Sequence, residues 1–430
     1  MLFTFPLPAF FELKRLRRLT SLCLVVSACS ALAQTASPPP LRLTTPTLRQ
    51  ALDAAWHLSP SARAESNRRS ELAARDQAAA SWISGEPVAV LAHRNDRLNT
   101  NTGFRENEAE LELPLWNPGV RGATQRDVSA QRAGFDTQLT LTRLKLAGQL
   151  RELVANAATA NIELELTQRK LSDALALASD IERRVKAGEN ARVDALQAHV
   201  VVEQARAVLA QAQGQLSRLQ AQWHAATGLT ALAPAEEKAT QATPLDAITA
   251  PLLPSDHPAL LQAQALVDAA RTKLALLEAD KRNPMALIAG AARDRTNFGA
   301  QSDTKLRLAL RIPLGGDNRN APRLAAARAE LDSAQSDLDA TQRQLPADLS
   351  AASTDLRAAT LAQNAARQRA ALSTDVQALI AKSWRLGDSD LPARLRADNE
   401  QFEAALSLAR TTVDVQRAIA KLNQALGLLP

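Results

Sequence analysis

Residues 146–188 read LAGQLRELVANAATANIELELTQRKLSDALALASDIERRVKAG, and the spacing of apolar side chains here decides the fold. Leu146, Leu150, Leu153, Ala157, Ala160, Leu164, Thr167, Leu171, Ala174, Ala178, Ile181 and Val185 alternate by four and three, and only Thr167 is polar. That alternation is a coiled-coil seam. No proline interrupts Val120 to Ala187, so a helix over this span, rising 1.5 Å per residue, reaches roughly 100 Å. No single globular core needs a rod of that length. Gly188-Glu189-Asn190 ends it, and the chain returns as a second helix through Val193, Leu196 and Val200 to about Ala226.

The same unit is written twice. Glu112-Leu113-Pro114-Leu115 corresponds to Arg311-Ile312-Pro313-Leu314 at an offset of 199 residues. That offset also carries Arg184-Val185-Lys186-Ala187-Gly188 onto Ser383-Trp384-Arg385-Leu386-Gly387, and Thr227-Gly228-Leu229 onto Leu426-Gly427-Leu428. Ser59-Pro60 aligns with His257-Pro258 one residue short of it. A register held this far is a repeat. The expected layout is a first repeat over 34–228, a proline-rich linker over 229–256 and a second repeat over 257–430.

Each repeat reads helix, strand, strand, very long helix, tight turn, long helix. The first has a helix over about 46–82, interrupted near Ser59-Pro60, strands at about 87–96 and 105–113, and a helical hairpin over 120–226. The second has a helix over 258–281, strands at about 285–294 and 304–312, and a hairpin over 320–426 that turns at Gly387-Asp388-Ser389. Its seam restarts as Leu345, Leu349, Ala352, Leu356 and Ala359, and Pro346 should kink or break it.

The second strand of each pair alternates. Ala109, Leu111 and Leu113 oppose Glu108, Glu110 and Glu112, while Leu306, Leu308, Leu310 and Ile312 oppose Lys305, Arg307 and Arg311. Strands of nine or ten residues match the length that crosses an outer membrane when tilted. The alternative is a small soluble sheet packed on the helices. Four strands cannot close a barrel alone, and open edges are not tolerated in lipid. Three chains would supply twelve strands and leave a hole, so a homotrimer is expected.

Composition agrees with long helices. The 430 residues include no Tyr, 15 Gly and 3% aromatics. Lys14, Arg15, Arg17 and Arg18 precede the apolar Leu22–Val26, and Ala31-Leu32-Ala33 offers a small-x-small cleavage site. Residues 1–33 therefore read as an export signal. A lipoprotein signal is the competing reading, because Val26-Ser27-Ala28-Cys29 resembles a lipobox and would leave Cys29 acylated. Cys23 and Cys29 are the only cysteines, so neither route leaves a pair for a disulfide or thiolate site. Losing residues 1–33 removes those four cations and Glu12, taking the formal charge from +6 to +3. Acids and bases interleave through the rest, which excludes a nucleic-acid footprint. His57, His93, His199, His224 and His257 form no metal-ligand motif, and Gly315-Gly316 lacks the Lys-Ser/Thr of a phosphate loop. No enzyme, cofactor or metal site is expected.

In its repeat, its Leu111–Leu115 and Leu310–Leu314 junctions and its Arg184–Gly188 and Trp384–Gly387 tips, the chain resembles the TolC-type outer-membrane efflux proteins over residues 46–428. The resemblance implies a trimer with a twelve-stranded barrel in outer-membrane lipid, continued by a periplasmic helical tunnel. It further implies docking to a periplasmic adaptor and an inner-membrane transporter, and so a passive exit duct. A periplasmic adaptor or scaffold that binds through its hairpins without a pore is the alternative. Val185 stands where the family often has an aromatic, and only Phe104, Trp116 and Phe298 lie near the strands to form a girdle. Gly315–Arg323 looks more like the heavy-metal branch than the drug branch.

Several residues are candidates on this reading. Lys186, Gly188, Glu189, Arg385 and Gly387 mark adaptor-docking tips, although glycine at both turns also suits plain capping. Asp388 and Asp390, three copies each, would ring a narrow mouth and favour cations. Arg385 and Arg394 are expected to tether closed tips as a gate. Glu110, Glu112, Arg307 and Arg311 are candidates for a lumen of mixed charge.

Overall fold

A computed structural model describes residues 45–235, 254–315 and 320–430. The signal with Cys29, most of the linker and the centre of Gly315–Arg323 fall outside the described residues.

The chain enters at Thr47, whose hydroxyl accepts from Gln50 N while Gln50 Oε1 accepts from Thr47 N, a reciprocal cap that starts α1 (Leu48–Leu58). Ser59 ends α1 and caps α2 (Pro60–Ala80) through Ala62 N at 3.2 Å, so the expected interruption is a clean break between two helices. Strands β1 (Val88–Asn95) and β2 (Arg105–Leu115) follow. Gly119, at φ 82°, turns the chain into α3 (Val120–Lys186), and α4 (Arg192–Thr227) returns from it. The second repeat supplies α5 (Pro258–Ala279), β3 (Met285–Arg295), β4 (Asp303–Arg311), α6 (Ala321–Leu386) and α7 (Leu391–Ala425).

The α3 seam packs as its spacing predicts. All twelve seam positions are buried or half-buried, and Ala174, Ala178 and Ile181 meet Ala198, Val202 and Ala205 of α4. Nearer the strands, Ala147, Leu150 and Val154 meet α1 and Trp223, whose indole N–H donates to the Ala231 carbonyl at 3.0 Å. Leu349 and Ala352 of α6 meet Leu422 of α7 and Leu426 just beyond it.

Pro346 does not break α6, which runs unbroken from Ala321 to Leu386. Its fixed φ is helical, so the ring removes one backbone hydrogen bond without ending the helix. Leu345 and Leu349, buried on either side of it, hold the turn in place.

The two hairpins lie side by side in the order α4, α3, α7, α6, and α5 bridges α3 and α6. Both pairs of strands join one antiparallel sheet in the order β1-β2-β3-β4, with β2 pairing β3 across the repeats. Its outer edges, β1 and β4, are unpaired among the described residues.

Candidate functional site

Register assigns every strand residue to a face. One cross-strand row is Val90, Glu110, Gly290 and Arg307; the next two are Ala92, Glu108, Ala292 and Lys305, then Arg94, Glu106, Asp294 and Asp303. On this polar face Arg307 reaches Glu110 at 2.8 Å and Glu108 at 3.7 Å. Arg311 pairs with Glu112, Lys305 with Asp294 at 2.9 Å, and Arg94 with Glu106 at 3.1 Å. All four lumen candidates therefore share one face, and their charges cancel in pairs. Sequence reasoning missed Arg94, Glu106 and Asp294 as members of this ladder; period-two parity along each strand is the signal that finds them.

The opposite face is apolar. Its rows run Leu91, Ala109, Ala291, Leu306, then Ala89, Leu111, Ala289, Leu308, then Leu113, Leu287, Leu310. Leu306 and Leu308 are 86% and 77% exposed. An exposed apolar band of this extent marks a surface meant for lipid or another protein. At the end of the sheet nearest the helices, Trp116 donates to the Ser81 carbonyl at 2.9 Å beside Trp82, which is 65% exposed. Trp82 adds an aromatic that sequence reading left out of the girdle.

At the other end two loops are stitched together. Phe298 N donates to the Thr102 carbonyl at 2.9 Å, and a Cβ on Gly103 (φ +99°) would lie 2.7 Å from the Phe298 ring. Asp96 accepts from the Thr102 hydroxyl at 2.6 Å and from Thr102 N, Thr100 and Gly103. These bonds to its charged form, the Thr102 hydroxyl foremost, hold its carboxyl at about 2.

The helical tips lie at the ends of the hairpins remote from the sheet, and they match each other bond for bond. Glu189 N donates to the Arg184 carbonyl and Gly188 N to Val185, and Asp388 N donates to Ser383 and Gly387 N to Trp384. Both are Schellman caps, with Gly188 at φ 82° and Gly387 at φ 84°. Lys186, Glu189, Arg385 and Asp388 are exposed around them. Within the protomer Arg394 pairs with Asp398 at 2.8 Å and not with the tip acids. The Asp390 carboxylate accepts from Ala393 N at 2.9 Å and caps α7. Arg385 donates to the Ala381 carbonyl at 3.3 Å on its own helix. Trp384 is buried against α3 and α4, with Arg184 over its ring at 5.4 Å.

Between the hairpins, α3 meets α7 through polar contacts. Lys170 sits 4.0 Å over the Phe402 ring and donates to Asn399, and burial lowers its pKa. Glu163 pairs with Arg410, and Glu152 with Arg417.

Solved structures of this architecture exist. VceC, an outer membrane protein of Vibrio cholerae, superposes with a TM-score of 0.69 at 15% identity, covering 88% of this chain and 96% of its own. The outer-membrane channel OprN gives 0.70 at 17% over 89% and 90%. CusC gives 0.70 at 15% over 89% and 92%. The fold is that of the TolC-type outer-membrane channels. No family model matches the sequence, and no curated protein matches it. At such identities the TolC-type likeness is one of overall fold, and the side chains on it are this chain's own.

Proposed function

We propose that the protein is the outer-membrane exit duct of a tripartite efflux pump, working as a homotrimer without catalysis of its own. The observation that carries this reading is the sheet. It has two unpaired edges, one apolar face and one face of paired charges, and lipid tolerates that arrangement only after closure into a barrel. Three copies make twelve strands, enough for an open lumen. The helices ask for the same partners. Val193, Leu196, Val200 and Val208 are exposed on α4, and Leu361, Leu372, Val376 and Leu379 on α6. These are the two outer members of the four-helix layer, so α4 of one copy would seat against α6 of the next.

In this reading residues 34–228 and 257–430 are the two repeats. The barrel lies in the bacterial outer membrane, and the hairpins extend through the periplasm to an adaptor and an inner-membrane transporter. Lys186, Gly188, Glu189, Arg385 and Gly387 form the docking tips, and Asp388, Asp390 and Arg394 belong to the mouth. The cargo is small toxic molecules such as metal cations or drugs, and the resemblance of Gly315–Arg323 to the heavy-metal branch favours the cations. The protein is exported through its residue 1–33 signal, or anchored through Cys29.

Conductance of the purified protein in planar lipid bilayers tests the proposal. Stepwise openings from a species of three chains are expected. A folded protein that inserts and never conducts would reject the duct in favour of a scaffold.

A further inference from the structure

The sheet segregates charge more sharply than polarity. All six strand carboxylates (Glu106, Glu108, Glu110, Glu112, Asp294 and Asp303) share the polar face. The apolar face has none, yet at its end beside the two loops it carries Arg105, Arg293 and Arg295. Arg105 and Arg295 are direct cross-strand partners, and Arg293 stands opposite Asn107 in the next row. Like charges placed directly opposite destabilise a sheet unless something neutralises them. Arg295 donates to the Gly103 carbonyl and lies 5.9 Å over the Phe298 ring. The exposed side chains of Arg105 and Arg293 have no partner among the described residues. Asp96, the carboxylate of the adjoining loop, already accepts four hydrogen bonds from that loop.

Next to the arginines the face is hollow. A groove of about 450 Å³ is lined on this face by Leu91, His93, Asn107, Ala109, Ala291, Arg293 and Thr304, with Ala92, Glu108 and Ala292 of the polar-face row also bordering it. Ala109 and Ala291 face each other as its floor, and Leu91 and Leu306, in the same cross-strand row, stand 83% and 86% exposed on either side. From Leu91 to Leu306 is three strand spacings, about 14 Å. The site thus offers a trough with an alanine floor and leucine rims that ends against three cations.

We infer that this face binds a phosphorylated, acylated glycolipid of the outer leaflet, with acyl chain in the trough and phosphate on Arg105, Arg293 and Arg295. Guanidinium groups bind phosphate through paired, charge-assisted hydrogen bonds. A phosphate here relieves the Arg105–Arg295 repulsion without placing a carboxylate in lipid. The inference rests on the proposed orientation, in which the loop end of the sheet is the outer surface. A trimer would carry three such sites around its rim.

The test is native mass spectrometry of the detergent-purified protein titrated with diphosphoryl lipid A, its dephosphorylated form, phosphatidylethanolamine or inorganic phosphate. The variant is Arg105→Gln/Arg293→Gln, which removes no intramolecular side-chain bond described above. Diphosphoryl lipid A should bind, with the variant and the dephosphorylated lipid each at least about tenfold weaker, because even one good charge-assisted contact is worth that much. Phosphatidylethanolamine and inorganic phosphate should not compete. Equal binding by the variant, or of the dephosphorylated lipid, would overturn the proposal, as would capture of phosphate alone. The Ala291→Trp variant fills the trough and should also lose lipid A; unchanged binding there would refute the acyl half. Conductance of the same preparations separates the two readings. A conducting protein that ignores lipid A fails only this inference, whereas one that never conducts fails the duct.

Discussion

The Glu110 carboxylate on β2 meets the Arg307 guanidinium on β4 at 2.8 Å, spanning β3 above Gly290. The pair exists because position 290 has no side chain. An added Cβ would lie 2.8 Å from Glu110 Cγ and 3.0 Å from the Ala109 carbonyl oxygen. Gly290→Val should therefore expel the Glu110 side chain and strain the β2–β3 ladder, destabilising the protein by about 1–3 kcal/mol. Glu110→Gln removes only a surface pair, worth about 0–1 kcal/mol. Thermal unfolding of the two variants side by side measures the difference, and equal shifts would mean that the pair, not the space, matters.

The tip acids have separate duties, so their variants should separate. Asp390 caps α7, and Asp390→Ala should cost about 0.5–2 kcal/mol; Asp390→Ser keeps the cap and loses the charge. Asp388 is exposed and caps nothing, so Asp388→Asn should leave stability unchanged. If the carboxylates form an electrostatic mouth, Asp388→Asn and Asp390→Ser both lower cation selectivity, read as reversal potential across a salt gradient. Unaltered reversal potentials in both would remove the carboxylate mouth and keep the duct.

Gly387 closes the second tip at φ 84°, a conformation that costs a residue with a Cβ about 1–2 kcal/mol. Gly387→Ala should fray the end of α6 and release Trp384 from its packing against α3 and α4. Tryptophan fluorescence shifted toward the red, with faster proteolysis at the tip, would report it. An unshifted spectrum would place Trp384 independent of the cap.

Oligomerisation should depend on apolar residues that the single chain leaves exposed. Leu372→Glu on α6, or Val200→Glu on α4, puts a charge in the expected seam without touching a core contact. Light scattering should show single chains with undiminished helix content by circular dichroism. A persisting trimer would locate the contact elsewhere.

Asp127 is buried between α3 and α5, accepting from Gln131 at 2.8 Å and Thr272 at 3.4 Å, with Lys273 and Arg75 as the nearby cations. Burial raises its pKa above the ordinary 3.8. The folded state therefore holds its proton more tightly than the unfolded one. Stability is greatest below 3.8 for this group and is lost as pH rises through the raised value. Asp127→Asn should stabilise the protein at pH 7 and flatten melting temperature against pH just above 4. A variant less stable than wild type at pH 7 would show that the carboxylate is held by its partners and not penalised by burial.

The sequence by itself determined the elements and their order. Alternation by four and three, parity along β2 and β4, and glycines at 188 and 387 are local properties, and each element ends within two residues of its reading. Tertiary structure alone decided who meets whom. The backbone of α6 continues through Pro346 because packing on both sides outweighs one lost hydrogen bond. The pairing of β2 with β3 brings Glu110 and Arg307 together from different repeats, and the same register gathers the three arginines on a face free of acid. Periodicity says which way a side chain points; which strand lies next to which is settled only when edges, faces and charges of distant segments compete for the same partners.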